Sequence, residues 1–260
     1  MKHTPRKRFG QNFLVDRSII ARIVDAIDPK PSDNLVEIGP GLGALTVPLL
    51  ERVLRLQVVE LDRDLAARLR TSHPPDRVVV HEGDALRFDF SALAAPLRIV
   101  GNLPYNISTP LLFHMVAYAE CFTDLHFMLQ REVVERMVAA PSTPEYGRLS
   151  VMLQYRFRMQ NLLAVPSSAF RPVPKVASAV VRLLPLPRPD VSARDESLFA
   201  RTVTRAFSHR RKTLRNALLG HVAEADLEAA GVDPGLRAEN LSVAAFVAIS
   251  NRVAERAGGA

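Results

Sequence analysis

The sequence predicts an α/β fold: a mostly parallel sheet of seven strands with an antiparallel hairpin at its edge, then a small all-helical domain. Three observations carry this. Short β-branched apolar runs alternate with amphipathic stretches up to residue 185, the pattern of strands crossing to parallel neighbours through helices. The last two apolar runs come late and close together, as a hairpin requires. Beyond a proline-rich break, only helical periodicity is found.

In order, Arg17–Asp28 places Ile19, Ile20, Ile23, Val24 and Ile27 on one helical face. Strands are expected at Leu35–Ile38, Leu56–Glu60, Arg77–His81, Leu97–Val100 and Leu125–Leu129, with helices at Ala44–Val53, Arg63–Thr71, Thr109–Ala117 and Arg131–Ala139 between and after them. Leu162–Val165 and Ala177–Leu183 supply the hairpin. Leu184-Pro185-Leu186-Pro187-Arg188-Pro189 suits neither helix nor central strand and reads as a semi-rigid linker. It divides a domain of residues 1–185 from one of residues 190–260, whose helices are expected at Leu198–Phe207, Lys212–Leu218, Glu224–Ala229 and Val243–Arg256.

Hydrophobic residues make up 48% and charged residues 23%, a globular rather than a disordered mixture. No apolar run reaches the ~18 residues that span a bilayer, and the basic start lacks the apolar core of a secretory signal. Cys121 is the single cysteine, which excludes an intramolecular disulfide and a thiolate metal cluster. A reducing cytoplasm, no membrane, no metal and a monomer are expected. The net charge of +7 is uneven. Residues 1–12 hold Lys2, Arg6, Lys7 and Arg8, and residues 205–215 hold Arg205, Arg210, Arg211, Lys212 and Arg215, with no acid in either stretch. A solvated basic face is the ordinary fate of such runs. Two of them flanking a balanced chain point instead to a nucleic acid.

Val36-Glu37-Ile38-Gly39-Pro40-Gly41-Leu42-Gly43-Ala44 ends a strand in a glycine turn and opens a helix, a place where backbone approaches a ligand closely. It lacks the Gly-Lys-Ser/Thr of a phosphate-binding loop. Glu60 ends the next strand, where a carboxylate accepts from ribose hydroxyls. Asp84, after the third strand, suits an adenine edge. Acids at strand ends are common on surfaces, but two at the carboxyl edge of one sheet favour a nucleoside. S-adenosylmethionine and a nicotinamide dinucleotide both satisfy this much.

Gly101-Asn102-Leu103-Pro104-Tyr105 narrows the chemistry. An adenine amine is a poor nucleophile because its lone pair is delocalised into the ring. The Asn102 side-chain carbonyl and the Leu103 backbone carbonyl can accept its two protons and favour a pyramidal nitrogen. Pro104 stiffens the turn, and the Tyr105 ring offers a stacking face worth ~1–3 kcal/mol. Stacking needs the ring alone, so Tyr105→Phe is expected to be mild. An ordinary strand-to-loop turn would use the same residue types; the position one strand beyond Asp84 favours function. Phe170, before a proline-rich loop, reads by itself as core.

These pieces, with Gln11-Asn12-Phe13-Leu14, Gln130-Arg131-Glu132-Val133, Tyr146-Gly147-Arg148-Leu149-Ser150, Phe170-Arg171-Pro172-Val173-Pro174-Lys175-Val176 and Arg210-Arg211-Lys212-Thr213-Leu214-Arg215-Asn216, run almost end to end. The chain thereby resembles the small-subunit ribosomal RNA adenine N6,N6-dimethyltransferases. The resemblance implies a Rossmann-like methyltransferase sheet, S-adenosylmethionine as cofactor, and ribosomal RNA of the small subunit or its precursor as partner. It implies that Asn12 and Leu14 close over the methionine end of the cofactor, with Gly39 and Gly41 in the cofactor turn. Glu60 would hold the ribose, Asp84 the adenine, and Asn102 both cofactor and target amine. Phe170 would face Tyr105 across the base. The two basic runs themselves, apart from the resemblance, lead us to expect Lys7, Arg8, Arg210, Arg211, Lys212 and Arg215 to grip RNA. The alternatives are a macrolide-resistance type of large-subunit adenine methyltransferase and a non-catalytic ribosome assembly factor. A nicotinamide oxidoreductase would leave Asn102–Tyr105 and the basic runs unexplained.

Overall fold

In the computed structural model, residues 12–187, 192–209 and 211–258 are described. The chain opens with β1 (Phe13–Leu14) and α1 (Arg17–Ile27). Asp16 caps α1 by accepting from the backbone N–H groups of Ser18 and Ile19. Next come β2 (Leu35–Ile38), α2 (Thr46–Leu50), β3 (Leu56–Glu60), α3 (Arg63–Ser72), β4 (Val78–Glu82), β5 (Leu97–Asn102), α4 (Ser108–Ala117), β6 (Phe122–Gln130) and α5 (Arg131–Val138). After α6 (Arg148–Gln154) follow β7 (Phe157–Val165), β8 (Phe170–Arg171) and β9 (Ser178–Pro185). The last stretch holds α7 (Glu196–Ser208), α8 (Leu214–Ala217), α9 (Glu224–Ala229) and α10 (Val243–Gly258).

The seven-stranded sheet has the order β4-β3-β2-β5-β6-β9-β7. The pairs β4–β3, β3–β2, β2–β5 and β5–β6 are parallel, so their carboxyl ends line up along one edge. β9 runs antiparallel to β6, with Leu125 opposite Leu183 and Gln130 opposite Ser178. The late strands do supply the antiparallel part, and the last strand in sequence takes the inner place, leaving β7 outermost. β1 and β8 form a separate two-stranded sheet, with Phe13 opposite Arg171 and Leu14 opposite Phe170. Two-residue strands carry no periodicity, so the sequence gives no sign of them.

Ile19, Ile23 and Ile27 of α1 are buried against a core that includes Leu35, Val58, Val100, Met128 and Val180. At the amino ends of the strands, Arg98 grips Asp124 through Nε and Nη2, at 2.9 and 3.0 Å, and also pairs with Asp33. Arg182 of β9 meets the same Asp124 carboxylate at 3.2 Å. This fork ties β5, β6 and β9 together and leaves the opposite edge free for a site.

Two compact units are present: residues 1–134 with 158–185, and residues 135–157 with 186–260. The division at 185 is accompanied by a second one, because residues 135–157 group with the helical unit and not with the sheet unit. Tyr146, Val151 and Tyr155 are buried among Phe199, Val203, Leu214 and Phe246. The Tyr146 hydroxyl donates to the Leu241 carbonyl at 2.9 Å, and Ser142 N–H to Glu239 at 2.8 Å. Such partners lie almost a hundred residues away, and local pattern is blind to them. Two expected helices are shorter in the structure. Ala44–Val53 contracts to α2 because the glycine turn delays its start, and Lys212–Leu218 contracts to α8.

Candidate active site

At the carboxyl edge of β2, β3 and β5, a cavity of about 280 Å³ is lined by the glycine turn, Glu60–Asp62, Gly83–Ala85, Asn102–Ile107 and Asn12–Leu14. The turn exists because Gly39, Gly41 and Gly43 take φ of 64°, 60° and 87°, left-handed values that cost other residues strain. A Cβ on Gly39 would meet nothing within 4 Å. The space beside it is open to a ligand. A Cβ on Gly41 would come within 3.3 Å of the Phe13 ring, so this glycine lets the aromatic ring of β1 lie close to the turn.

Glu60 is only 6% exposed. One oxygen accepts from Gly41 N–H at 3.1 Å and the other from Asp62 N–H at 2.9 Å. Burial raises its pKa, and those two N–H groups pull it back. Glu37, inside β2, is buried and accepts from the Thr46 hydroxyl at 2.7 Å. Desolvation lifts its pKa to about 8, against the smaller opposing effect of Thr46. Asp84 takes Leu86 N–H at 3.0 Å, which fixes its carboxylate on the rim. With Asp62, four acidic side chains line the cavity, Glu37 among them in its neutral form near pH 7, and no lysine or arginine does among the described residues. That distribution suits a cationic ligand and repels the pyrophosphate of a dinucleotide. It favours the sulfonium cofactor over the dinucleotide that the glycine pattern also allowed.

Asn102, the last residue of β5, donates from Nδ2 to the Asn12 carbonyl at 3.3 Å. A carbonyl can only accept, so this contact assigns the amide's nitrogen and leaves Oδ1 as its acceptor end. Leu103 is buried, with its N–H on the Met128 carbonyl at 3.2 Å. Gly101 is required just before them, because a Cβ there would stand 2.8 Å from the Ile38 carbonyl oxygen. The half-buried Tyr105 hydroxyl lies 2.7 Å from Oγ of Ser178, a fully buried residue of β9. Burial raises the Tyr105 pKa, partly offset by Ser178.

Match to the model for "Ribosomal RNA adenine dimethylase" extends over residues 2–255. The chain belongs to the ribosomal RNA adenine dimethylase family. This family uses S-adenosylmethionine, and the acid-lined cavity fits that cofactor. The dimethylase chain is 61% identical, over 256 residues, to "Ribosomal RNA small subunit methyltransferase A" of Chromobacterium violaceum, with 98% of each chain covered. The protein of the same name from Thiobacillus denitrificans is also 61% identical, covering 98% of this chain and all of the relative. Among solved structures, a dimethyladenosine transferase from Plasmodium falciparum superposes with a TM-score of 0.75 at 25% identity, over 91% of this dimethylase and 95% of that chain. The 23S rRNA methyltransferase ErmE gives 0.69 at 28% identity, over 94% and 100%.

Of the residues expected from sequence, Asn12, Leu14, Gly39, Gly41, Glu60, Asp84, Asn102, Leu103 and Tyr105 all line the one cavity. Phe170 does not: it is 1% exposed, packed in the core with Leu14 and Val180. In this conformation it presents no face to a base, which agrees with the reading of Phe170 by itself rather than with the family role. Lys7, Arg8 and Arg210 lie outside the described residues. Arg211, Lys212 and Arg215 are exposed, but Arg215 is paired with Glu224. Thr46, Asp62 and Ser178 were not foreseen, and Phe13 and Glu37 were read only as parts of motifs. An acid inside an otherwise apolar strand, two residues before a glycine turn, was the available signal for Glu37. No local signal exists for Ser178, which reaches Tyr105 only through the inner placement of β9.

Proposed function

We propose that this dimethylase transfers methyl groups from S-adenosylmethionine to the exocyclic amine of adenosines in small-subunit ribosomal RNA, as a step in subunit maturation in the cytoplasm. The observation that carries the reading is one acid-lined cavity holding both the ribose-type acid Glu60 and the Asn102–Tyr105 turn. The sheet unit acts as the cofactor and catalytic domain, and the helical unit as the RNA-recognition domain. No helix among the described residues is long and apolar enough to cross a membrane.

When bound, S-adenosylmethionine supplies an electrophilic methyl on a positively charged sulfur. Glu60 would accept from the ribose hydroxyls, Asp84 from the adenine amine of the cofactor, and Asn12 and Leu14 would cover its methionine end. On the target side, Oδ1 of Asn102 and the Leu103 carbonyl accept from the nucleophilic amine as it pyramidalises. Those bonds strengthen in the transition state, which is how they raise the rate. Tyr105 holds the purine plane, and positioning replaces a strong base.

The test is incubation with labelled S-adenosylmethionine and, in separate reactions, unmethylated small and large subunits, followed by mapping of modified bases. Label in adenosines of small-subunit RNA is expected. Label confined to large-subunit RNA would establish the macrolide-resistance type of activity that the likeness to ErmE raises. Tight cofactor-free binding to subunits without label would leave an assembly factor.

A further inference from the structure

β2 is apolar except for Glu37, and the function proposed above gives that residue no task. Its side chain is buried, yet it lines the cavity that holds Glu60 and Asn102. The Thr46 hydroxyl, buried as well, donates to Oε2 at 2.7 Å. Among the described residues, no other hydrogen bond reaches this carboxyl group. The neighbouring strands supply no counter-charge either: Val58 of β3 and Val100 of β5 stand beside Glu37 in the sheet. The rest of the lining offers the acids Glu60, Asp62 and Asp84 and the neutral amides of Asn12 and Asn102. Burial disfavours the carboxylate most strongly, Thr46 opposes that effect, and the charge of Glu60 adds to it. In the free protein Glu37 therefore keeps its proton at neutral pH.

The order of the sheet sets this acid against one part of the cofactor. β4, β3, β2 and β5 stand side by side, ~4.8 Å apart, and bring Asp84, Glu60, Glu37 and Asn102 to the cavity in that order. Asp84 and Glu60 serve the adenine and the ribose, and Asn102 addresses the target amine. Between ribose and target amine, S-adenosylmethionine carries its two positive charges, the sulfonium and the methionine ammonium. An opposite charge within ~4–6 Å lowers a carboxyl pKa by ~1–3. From about 8, that brings Glu37 to neutrality or below. The resulting anion needs no rearrangement, because the Thr46 hydroxyl already donates to it, and such a bond is stronger to a carboxylate than to a carboxylic acid.

We infer that cofactor binding drives the proton off Glu37, which is neutral in the free protein and an anion beside a cation of the bound cofactor. Affinity for S-adenosylmethionine is thereby linked to pH. The sign follows from the proton lost: the complex tightens as the pH rises towards 8 and gains nothing more once free Glu37 is already ionised. The inference rests on the cofactor placement proposed above and adds the charge state in which the fourth acid acts.

Isothermal titration calorimetry of the full chain at pH 7, in two buffers of different ionisation enthalpy, counts the protons released. Wild type should release up to ~0.9 proton per S-adenosylmethionine, the protonated fraction of a group with a pKa of about 8. Its Kd should fall by as much as ~10-fold from pH 6 to pH 7. Glu37→Gln keeps an acceptor for Thr46 but cannot ionise. It should release far less, show a nearly flat Kd over that range, and fall further behind wild type as the pH rises to 8. Two analogues locate the cation: S-adenosylhomocysteine keeps the ammonium and lacks the sulfonium, and methylthioadenosine lacks both. Release with S-adenosylmethionine and S-adenosylhomocysteine assigns the ammonium, and release with S-adenosylmethionine alone assigns the sulfonium. Equal release with all three ligands, undiminished release in Glu37→Gln, or no release by wild type overturns the inference. Subunit methylation by the same proteins keeps the two readings apart. A wild type that labels subunits but releases no proton on binding sinks the linkage and leaves the activity standing; the converse result does the reverse.

Discussion

Removing the Tyr105 hydroxyl should do more than a stacking role allows. The ring needs no hydroxyl to stack on a purine, so from sequence Tyr105→Phe is expected to be mild. In the structure that hydroxyl meets Ser178 Oγ at 2.7 Å, and Ser178 is fully buried. Deleting one partner leaves a buried hydroxyl unpaired, a cost of about 1–3 kcal/mol. At ~2–4 °C per kcal/mol for a chain of this size, the melting point should fall by several degrees. Ser178→Ala should cost a similar amount. The double variant should lose less than the sum, because removing both partners is close to neutral, with a coupling energy of about 0.5–1.5 kcal/mol. If the bond also fixes the ring for catalysis, single-turnover methylation should slow in Ser178→Ala as well as in Tyr105→Phe, by ~10-fold if misplacement costs ~1.4 kcal/mol. Tyr105→Ala, which loses the ring itself, should be slower than either. Differential scanning calorimetry and rapid-quench methylation on wild type and the four variants decide it. A coupling energy of zero, or a Ser178→Ala enzyme as fast as wild type beside a slow Tyr105→Phe, would show that the hydroxyl acts on substrate and that the tether is irrelevant.

Asn102→Ala should lower the single-turnover rate by ~10²–10³, the size of a lost transition-state hydrogen bond, with a smaller loss of cofactor affinity; an unchanged rate at saturating cofactor would remove the amide from the chemistry. Glu37 keeps its proton in the folded state up to about pH 8 but loses it near 4.5 when unfolded. Its contribution to stability is therefore fully present below pH 4.5 and lost as the pH rises through 8. Glu37→Gln, which imitates the protonated form, should remove that part of the loss, and parallel denaturation curves for the two proteins from pH 5 to 9 would refute it. Gly101→Ala should destabilise the sheet unit by about 1–3 kcal/mol, because its methyl would stand 2.8 Å from the Ile38 oxygen and 3.0 Å from Leu103; a thermal melt equal to wild type would contradict this packing.

How far the chain could be read depended on the range of each interaction. The glycine turn, Glu60, Asp84 and Asn102–Tyr105 were legible because each is a short motif at a strand end, and a parallel sheet brings such ends to one edge. The α1 helix and strands β2 and β3 were legible because their apolar periodicity is local and their burial follows from it. What went unseen is non-local in every case. The helical unit claims residues 135–157 through Tyr146 and Leu241; Phe170 is buried where β8 pairs with β1; and Arg201 shares a concavity of the helical unit with Arg205 and Lys212 while Arg215 pairs with Glu224. By itself, the sequence determined the fold class, the glycine turn and the Asn102–Tyr105 turn at the end of β5. Only the tertiary structure decided which aromatic side chain faces the cavity, which hydroxyl holds it and which cations share a groove. Such choices are set by the energy of packing side chains from distant segments together, and no local pattern encodes that.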